Sequence, residues 1–279
     1  MRRHTSWRVG GAADQLYLPA SLQGLQQFLK GLPPGEPLHF VGLGSNLLVR
    51  DGGIRGTVIL MHDALTELRF EGETVYAEAG VTCAKLARFA ARQHLQGAEF
   101  MAGIPGTVGG ALAMNAGCHG SETWDVVNRA LTIDRHGQIH QRAQIELEIG
   151  YRHVGLPGEE WFVAAWFQLH AGDASVAEEK IKALLAKRLA TQPMNWPNAG
   201  SVFRNPEGDH AARLIEACGL KGYRINDAQV SEKHANFIVN LGGATASDIE
   251  SLIAHVHDTV LRDQGVELQR EVKIVGEAS

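Results

Sequence analysis

Between Gly103 and Gly117 the chain reads Gly103-Ile104-Pro105-Gly106-Thr107-Val108-Gly109-Gly110-Ala111-Leu112-Ala113-Met114-Asn115-Ala116-Gly117, and no other stretch limits the possible folds so tightly. Glycine at this density lets the main chain come within contact distance of a ligand, and consecutive N–H groups can then cradle an anion such as a pyrophosphate. A second segment, Gly42-Leu43-Gly44-Ser45-Asn46-Leu47, follows a β-like run and adds a hydroxyl and an amide to the same freedom. Neither fits the common nucleotide fingerprints. Gly42-x-Gly44 lacks a third glycine at position 47, and no Gly-Lys-Ser/Thr follows any glycine run, so Rossmann and P-loop readings are disfavoured. One such loop alone is as well explained by a pair of tight turns. Two in the same half of a chain point to a dinucleotide.

The 279 residues predict two or three compact units, each with its own core. A formal net charge of −5 argues against general nucleic-acid binding, so an anionic ligand must find local positive charge. Cys83, Cys118 and Cys218 are scattered singly and odd in number, which suits a reducing cytoplasm rather than a disulfide framework. Arg2 and Arg3 are followed by no apolar leader, and no apolar run reaches membrane-spanning length, so neither secretion nor membrane insertion is expected. A monomer is compatible with all of this.

Periodicity predicts strands at Gln15–Leu18, Leu38–Leu43 and Thr57–Leu60 with a helix at Leu22–Leu29, then a strand at Thr74–Ala79 and a helix capped by Thr82 and running to Arg92. Alternating runs at Ala130–Asp134 and Phe162–Leu169 predict a sheet that closes a second subunit of structure. At Ala171-Gly172-Asp173 the pattern changes to a helix with a Ser175/Glu178 capping-box signal, and a domain boundary is placed there. Beyond it come a short helix at Ala211–Cys218 ending at Gly219, a strand at Asn236–Asn240, and a helix from Ser247, boxed by Glu250, with Ile249, Leu252, Ile253, Val256 and Val260 on one stripe.

These segments together resemble the UDP-N-acetylenolpyruvoylglucosamine reductases. The resemblance rests on His4-Thr5-Ser6-Trp7-Arg8-Val9-Gly10-Gly11, the two glycine loops, Gly150-Tyr151-Arg152, Ala199-Gly200-Ser201-Val202-Phe203-Arg204-Asn205-Pro206, Gly219-Leu220-Lys221-Gly222-Tyr223-Arg224-Ile225, Ser231-Glu232-Lys233-His234-Ala235-Asn236 and Glu271, which span nearly the whole chain in the family's order. It implies an α+β fold. Residues 1–171 would form a vanillyl-alcohol-oxidase (PCMH) type FAD domain in two subdomains, about 1–62 and 63–171. Residues 172–279 would form a substrate domain whose final strand carries Glu271 back toward the flavin. It also implies NADPH as hydride donor, an enolpyruvyl UDP-sugar as substrate, and FAD held without a covalent bond by Gly42, Gly44, Ser45, Asn46, Leu47, Gly80, Gly103, Ile104, Pro105, Gly106, Thr107, Gly109, Gly110, Asn115, Ala116 and Gly117.

In the family pattern the reduced flavin gives hydride to the vinyl carbon remote from the ether oxygen, leaving enolate character beside the carboxylate. The resemblance then implies Ser201 as proton donor to that carbon, with Arg152 and Glu271 as partners of the enolate-carboxylate. A neutral hydroxyl can protonate so basic a centre, and a guanidinium fork matches a carboxylate that gains charge during the reaction. Tyr151, Arg204, Asn205, Lys221, Arg224 and Lys233 are the substrate and phosphate candidates. Lys182 to Lys233 carries eight Lys/Arg against five Asp/Glu in a chain that is acidic overall. A solvated basic face is the plain alternative for each of these cations.

The chain departs from the family at Val154, where a serine is usual after Tyr-Arg-x, at Ile225-Asn226-Asp227, and at Ala12. Only a short segment separates Arg152 from Ser201, as in the compact subgroup without a tyrosine loop. His119 is a candidate covalent attachment point for flavin, although an imidazole there more simply donates a hydrogen bond. The other histidines lack metal-site spacing, and no metal is expected. Two rivals remain at this level: a sugar or lactone oxidase of the same fold, and a catalytically idle nucleotide-sugar binding module.

Overall fold

The computed structural model describes residues 1–71 and 73–279. Its chain divides into two compact units. One gathers Met1–Gln15, Gly44–Gly56 and Leu189–Ser279; the other gathers Leu16–Leu43 and Thr57–Arg188. This division does not follow a single cut after residue 171, because two N-terminal segments pack with the C-terminal part and the helix Ala174–Thr191 is shared out almost entirely to the larger unit.

The larger unit is built on a five-stranded antiparallel sheet in the order Ile139–Ala143, Val127–Asp134, Glu160–Gln168, Thr74–Glu78, Leu68–Glu71. Its central strand, Glu160–Gln168, is apolar almost throughout because both of its faces are covered. Ala165 and Phe167 pair with Ala77 and Val75, and together they face a core that contains Leu86 and Ala90 of the helix Cys83–Arg92 and Val108 and Leu112 of the helix Val108–Ala113. The alternate residues Ala164 and Trp166, with Tyr76, point the other way. Thr82 caps the Cys83–Arg92 helix by accepting from Lys85 N–H, as expected. Leu38–Val41 runs parallel to residues 57–60, and Leu25 and Leu29 of the helix Leu22–Lys30 cover Ile59.

In the smaller unit the helix Ala246–Gln264 buries Ile249, Leu252, Ile253, Val256 and Val260, the stripe read from the sequence. Against it pack Val202, Phe203, Leu214 and Val230 with Trp7 and Leu48, which enter from the N-terminal segments. Trp7 is fully buried, and its indole N–H donates to Ile238 O at 2.7 Å. Leu47–Val49 pairs in parallel with Lys273–Val275. No helix of the described residues is long and apolar enough to cross a membrane.

Several local expectations are corrected. The last helix is boxed by Thr245 and Asp248, not by Ser247 and Glu250. Ser247 N–H and Ala246 N–H instead donate to the Asp51 carboxylate, and Glu250 forms a bidentate pair with Arg50. The helix Ala174–Thr191 begins one residue before Ser175, whose N–H and hydroxyl both donate to Asp173 Oδ1 at 2.7 Å, so Asp173 is the capping residue. The strand expected from Asn236 is confined to Ile238–Asn240. Glu271 lies ahead of the terminal strand Lys273–Val275 rather than on it.

Candidate active site

Within the larger unit Gly42, which opens the second glycine segment, meets Thr107 of the first. A Cβ built on Gly42 would stand 2.4 Å from Thr107 Oγ1, so a side chain at 42 would displace that hydroxyl. Residues 106 to 109 are laced to the segment that follows the strand Thr74–Glu78 by Cys83 N–H to Gly106 O at 3.0 Å, Val108 N–H to Val81 O at 2.8 Å and Gly109 N–H to Ala79 O at 2.9 Å. Gly80 and Gly109 are required by that packing, since a Cβ at either would meet Met61 O at 2.0 Å or Ala79 Cβ at 2.8 Å. Along the same loop Gly103 and Ile104 are buried, whereas Pro105 and Gly110 are exposed.

Thr107 is 1% exposed, and its hydroxyl oxygen is buried with no hydrogen-bond partner among the described residues. Buried hydroxyls are almost always satisfied, and an orphan costs about 1–3 kcal/mol. An unpaired hydroxyl beside a glycine that must lack a side chain fits a polar group supplied by a bound molecule. The residues present therefore fit the pyrophosphate-bearing part of a dinucleotide such as FAD.

Asn115, at the far end of the loop, is 2% exposed and spends its carboxamide on the protein. Its Nδ2 donates to Glu122 Oε2 at 2.7 Å and to Gly150 O at 3.3 Å, and its Oδ1 accepts from Trp124 N–H at 3.1 Å. Ala116 O accepts from both the N–H and the hydroxyl of Thr123. The turn is thus braced from outside the loop.

Arg152 rests on this braced turn. Its guanidinium donates to Asn115 O and Gly117 O, each at 3.4 Å, stands 3.5 Å from Glu122 Oε1, and lies over the exposed Tyr151 ring at 4.7 Å. Glu122, to which the sequence reading gave no role, is the carboxylate that holds both Asn115 and Arg152. Two further cations were also missed. Burial pushes the Cys118 thiol pKa up, against the pull of Arg188, Arg152 and Lys187, so three positive charges converge near the end of the loop. Lys187 and Arg188 carry no motif; only the fold of the helix Ala174–Thr191 brings them there. His119 is exposed, with φ +56°.

In the smaller unit Ser201 is half-buried and follows Gly200, which adopts φ +75°. The residues after it are strand-like: Val202 O accepts from Glu271 N–H at 2.8 Å, and Arg204 N–H donates to Gln269 O at 2.8 Å. Ser201 and Glu271 therefore sit on neighbouring, hydrogen-bonded segments. Asn46 is tied to the same place, its Nδ2 donating to Glu271 O at 3.1 Å and its carbonyl accepting from Lys273 N–H at 3.0 Å. Ser45 lies in the turn before Leu47, which opens the paired strand, and Gly44 O accepts from Ser6 N–H at 3.2 Å.

The basic candidates are engaged with the protein. Lys221 pairs with Glu216 at 2.9 Å, Arg224 with Asp227 at 3.3 Å, and Lys233 Nζ donates to Leu189 O at 2.6 Å. Asn205 Oδ1 accepts from Ala211 N–H at 3.1 Å and so steadies the start of the helix Ala211–Ala217. Arg204 is half-buried beside it. Exposed pairs of this kind are worth under about 1 kcal/mol, so an arriving phosphate can displace them.

Residues 192–275 match the model of the UDP-N-acetylenolpyruvoylglucosamine reductase C-terminal domain, and residues 13–142 match that of an FAD binding domain. The UDP-N-acetylenolpyruvoylglucosamine reductase of Alkalilimnicola ehrlichii is 61% identical over 278 residues, covering 100% of this chain and 93% of the relative. That of Thiobacillus denitrificans is 58% identical over 293 residues, covering 99% and 90%. Among solved structures, the UDP-N-acetylenolpyruvylglucosamine reductase of Thermus caldophilus superposes with a TM-score of 0.86 at 32% identity, over 99% of this chain and 97% of that one.

Proposed function

The chain belongs to the UDP-N-acetylenolpyruvoylglucosamine reductase family, and from that premise we propose that it is the NADPH-dependent flavoenzyme that saturates the enolpyruvyl group of UDP-N-acetyl-3-O-(1-carboxyvinyl)glucosamine, giving UDP-N-acetylmuramate for peptidoglycan synthesis. The observation that carries this reading is the orphaned Thr107 hydroxyl against Gly42, in a chain that also presents the complete Ala199–Pro206 serine segment. When bound and reduced by NADPH, FAD would supply the hydride for the terminal vinyl carbon.

Ser201 Oγ gives its proton to the carbon beside the carboxylate, whose electron pair would otherwise stay delocalised as an enolate; the serine oxygen then regains a proton from solvent. Arg152 offers the carboxylate a charged, planar pair of donors, and that interaction strengthens as negative charge develops. Its present contacts, to two backbone carbonyls and Glu122, keep the fork oriented at modest cost. Glu271, whose backbone N–H and carbonyl are both held, helps the same enolate-carboxylate either as the neutral acid or by orienting another group, because an ionised carboxylate would repel it. Arg204, Asn205, Lys221, Arg224 and Lys233 serve the phosphates. The protein works in the cytoplasm, where its nucleotide-sugar and NADPH are found.

The test is a two-step flavin titration without oxygen. The flavin band should bleach with NADPH and regain its colour when the enolpyruvyl UDP-sugar is added. An oxidase of the same fold would recolour with oxygen but not with the UDP-sugar, and a binding module would bind the sugar without consuming NADPH.

A further inference from the structure

Asn236 is 3% exposed and stands beside the segment that presents Ser201. Its Oδ1 accepts from Phe203 N–H at 3.0 Å, its Nδ2 donates to Phe203 O at 2.8 Å, and its backbone carbonyl accepts from Val202 N–H at 2.9 Å. One carboxamide thus makes both hydrogen bonds that a paired β-residue would make to Phe203. Asparagine suits this because it places a donor and an acceptor in one plane at a short reach. An ionised aspartate would offer acceptors only, and glutamine would overshoot by a carbon.

The two sides of Ser201 differ. Upstream, Gly200 has φ +75° and its N–H donates to Asn198 Oδ1 at 3.0 Å, a bond that closes a local turn two residues long. Downstream, Val202 and Phe203 are each 1% exposed and held by Asn236 on one flank and by Glu271 N–H on the other. The hydrogen bonds that tie the serine segment to distant parts of the chain therefore lie downstream.

We propose that Asn236 is the positioning residue for Ser201: by fixing the Phe203 peptide it fixes the path of the chain from which the serine hydroxyl is presented to substrate. The proposal rests on Ser201 being the proton donor. A displacement of a reacting group by about 1 Å can cost about 100-fold in rate. Loosening the Phe203 peptide should thus slow proton delivery while leaving flavin and NADPH untouched.

The experiment uses flavin-loaded full-length protein in anaerobic single turnovers, comparing the parent with Asn236→Asp, Asn236→Leu and Ser201→Ala. For both Asn236 variants at neutral pH, bleaching by NADPH should stay at the parent rate. Recolouring at saturating UDP-sugar should fall about 100-fold with little change in the substrate concentration that half-saturates it. Asn236→Asp should regain speed as pH is lowered and its carboxyl takes up a proton, because the neutral acid again offers one donor and one acceptor; Asn236→Leu should not. Recolouring of Asn236→Asp at the parent rate at neutral pH, while Ser201→Ala is slow, overturns the proposal alone. Parent-rate recolouring of Ser201→Ala overturns the reading beneath it. If both half-reactions of Asn236→Asp fall in step, or if it fails to hold flavin at any pH, the residue serves folding and the proposal is also overturned.

Discussion

Thr107 and Asn236 are both buried polar residues in or beside the candidate site segments, and the protein treats their polar atoms in opposite ways. Thr107, in the glycine loop of the larger unit, keeps a hydroxyl oxygen with no partner among the described residues. Asn236, beside the serine segment of the smaller unit, has its carboxamide closed on the Phe203 peptide in both directions. A loop whose work is to hold a cofactor can leave a polar atom to be paired by that cofactor, and the apoprotein bears the cost. A segment whose work is to aim a reacting hydroxyl must be rigid before substrate arrives, so its polar atoms are paired by the protein itself. Asn115 belongs to the second kind although it lies in the glycine loop, since the protein consumes its whole side chain.

The contrast predicts effects of different size and kind. Asn115→Ala should be the most damaging to stability. It strips Trp124 N–H and Glu122 of a buried partner at a residue with φ +40°, and should lower the free energy of unfolding by about 3 kcal/mol in denaturant titrations. A loss near zero would place Asn115 with Thr107. Thr107→Val, which keeps the shape and removes the hydroxyl, should do the reverse. The apoprotein should melt at the same temperature or higher, while FAD binds about tenfold more weakly by fluorescence titration. A less stable apoprotein would mean that the hydroxyl already has a protein partner.

The smallest effect concerns His234. Its Nδ1 accepts from Asn236 N–H at 3.3 Å, which requires a neutral ring, and burial, helped by the charge of Lys221, lowers its pKa below the ordinary value of about 6.5. The folded state therefore binds this proton less readily than the unfolded chain does. The stability it contributes is complete above about pH 6.5 and declines as pH falls below that toward the lowered pKa. Thermal melts of the parent should show this acid-side slope, and His234→Gln should reduce it; an unchanged slope would remove His234 from the support of Asn236.

What could be read from the residues followed the range over which each signal acts. The Thr82 cap and the Ile249 to Val260 stripe are local, and both are present in the structure. Thr245/Asp248 and Ser247/Glu250 carry the same capping pattern two residues apart, and what separates them is distant: Asp51 takes Ala246 N–H and Ser247 N–H, and Arg50 takes Glu250. The division into units was illegible for the same reason. Nothing near Trp7 or Leu48 in sequence announces that they enter a core made mostly of residues beyond 198. In the candidate site, Arg152, Ser201 and Glu271 were named by motif, whereas the contacts that Glu122 makes with Arg152 and Asn236 makes with the Phe203 peptide were not, since such contacts depend on what the fold brings together.

The account is tested most directly by the proton that Ser201 is assigned to deliver. Ser201→Ala, loaded with flavin and reduced by NADPH without oxygen, should bleach at the parent rate and then recolour about 100- to 10,000-fold more slowly when the enolpyruvyl UDP-sugar is mixed in. Recolouring as fast as the parent, with the same saturated product, would contradict it.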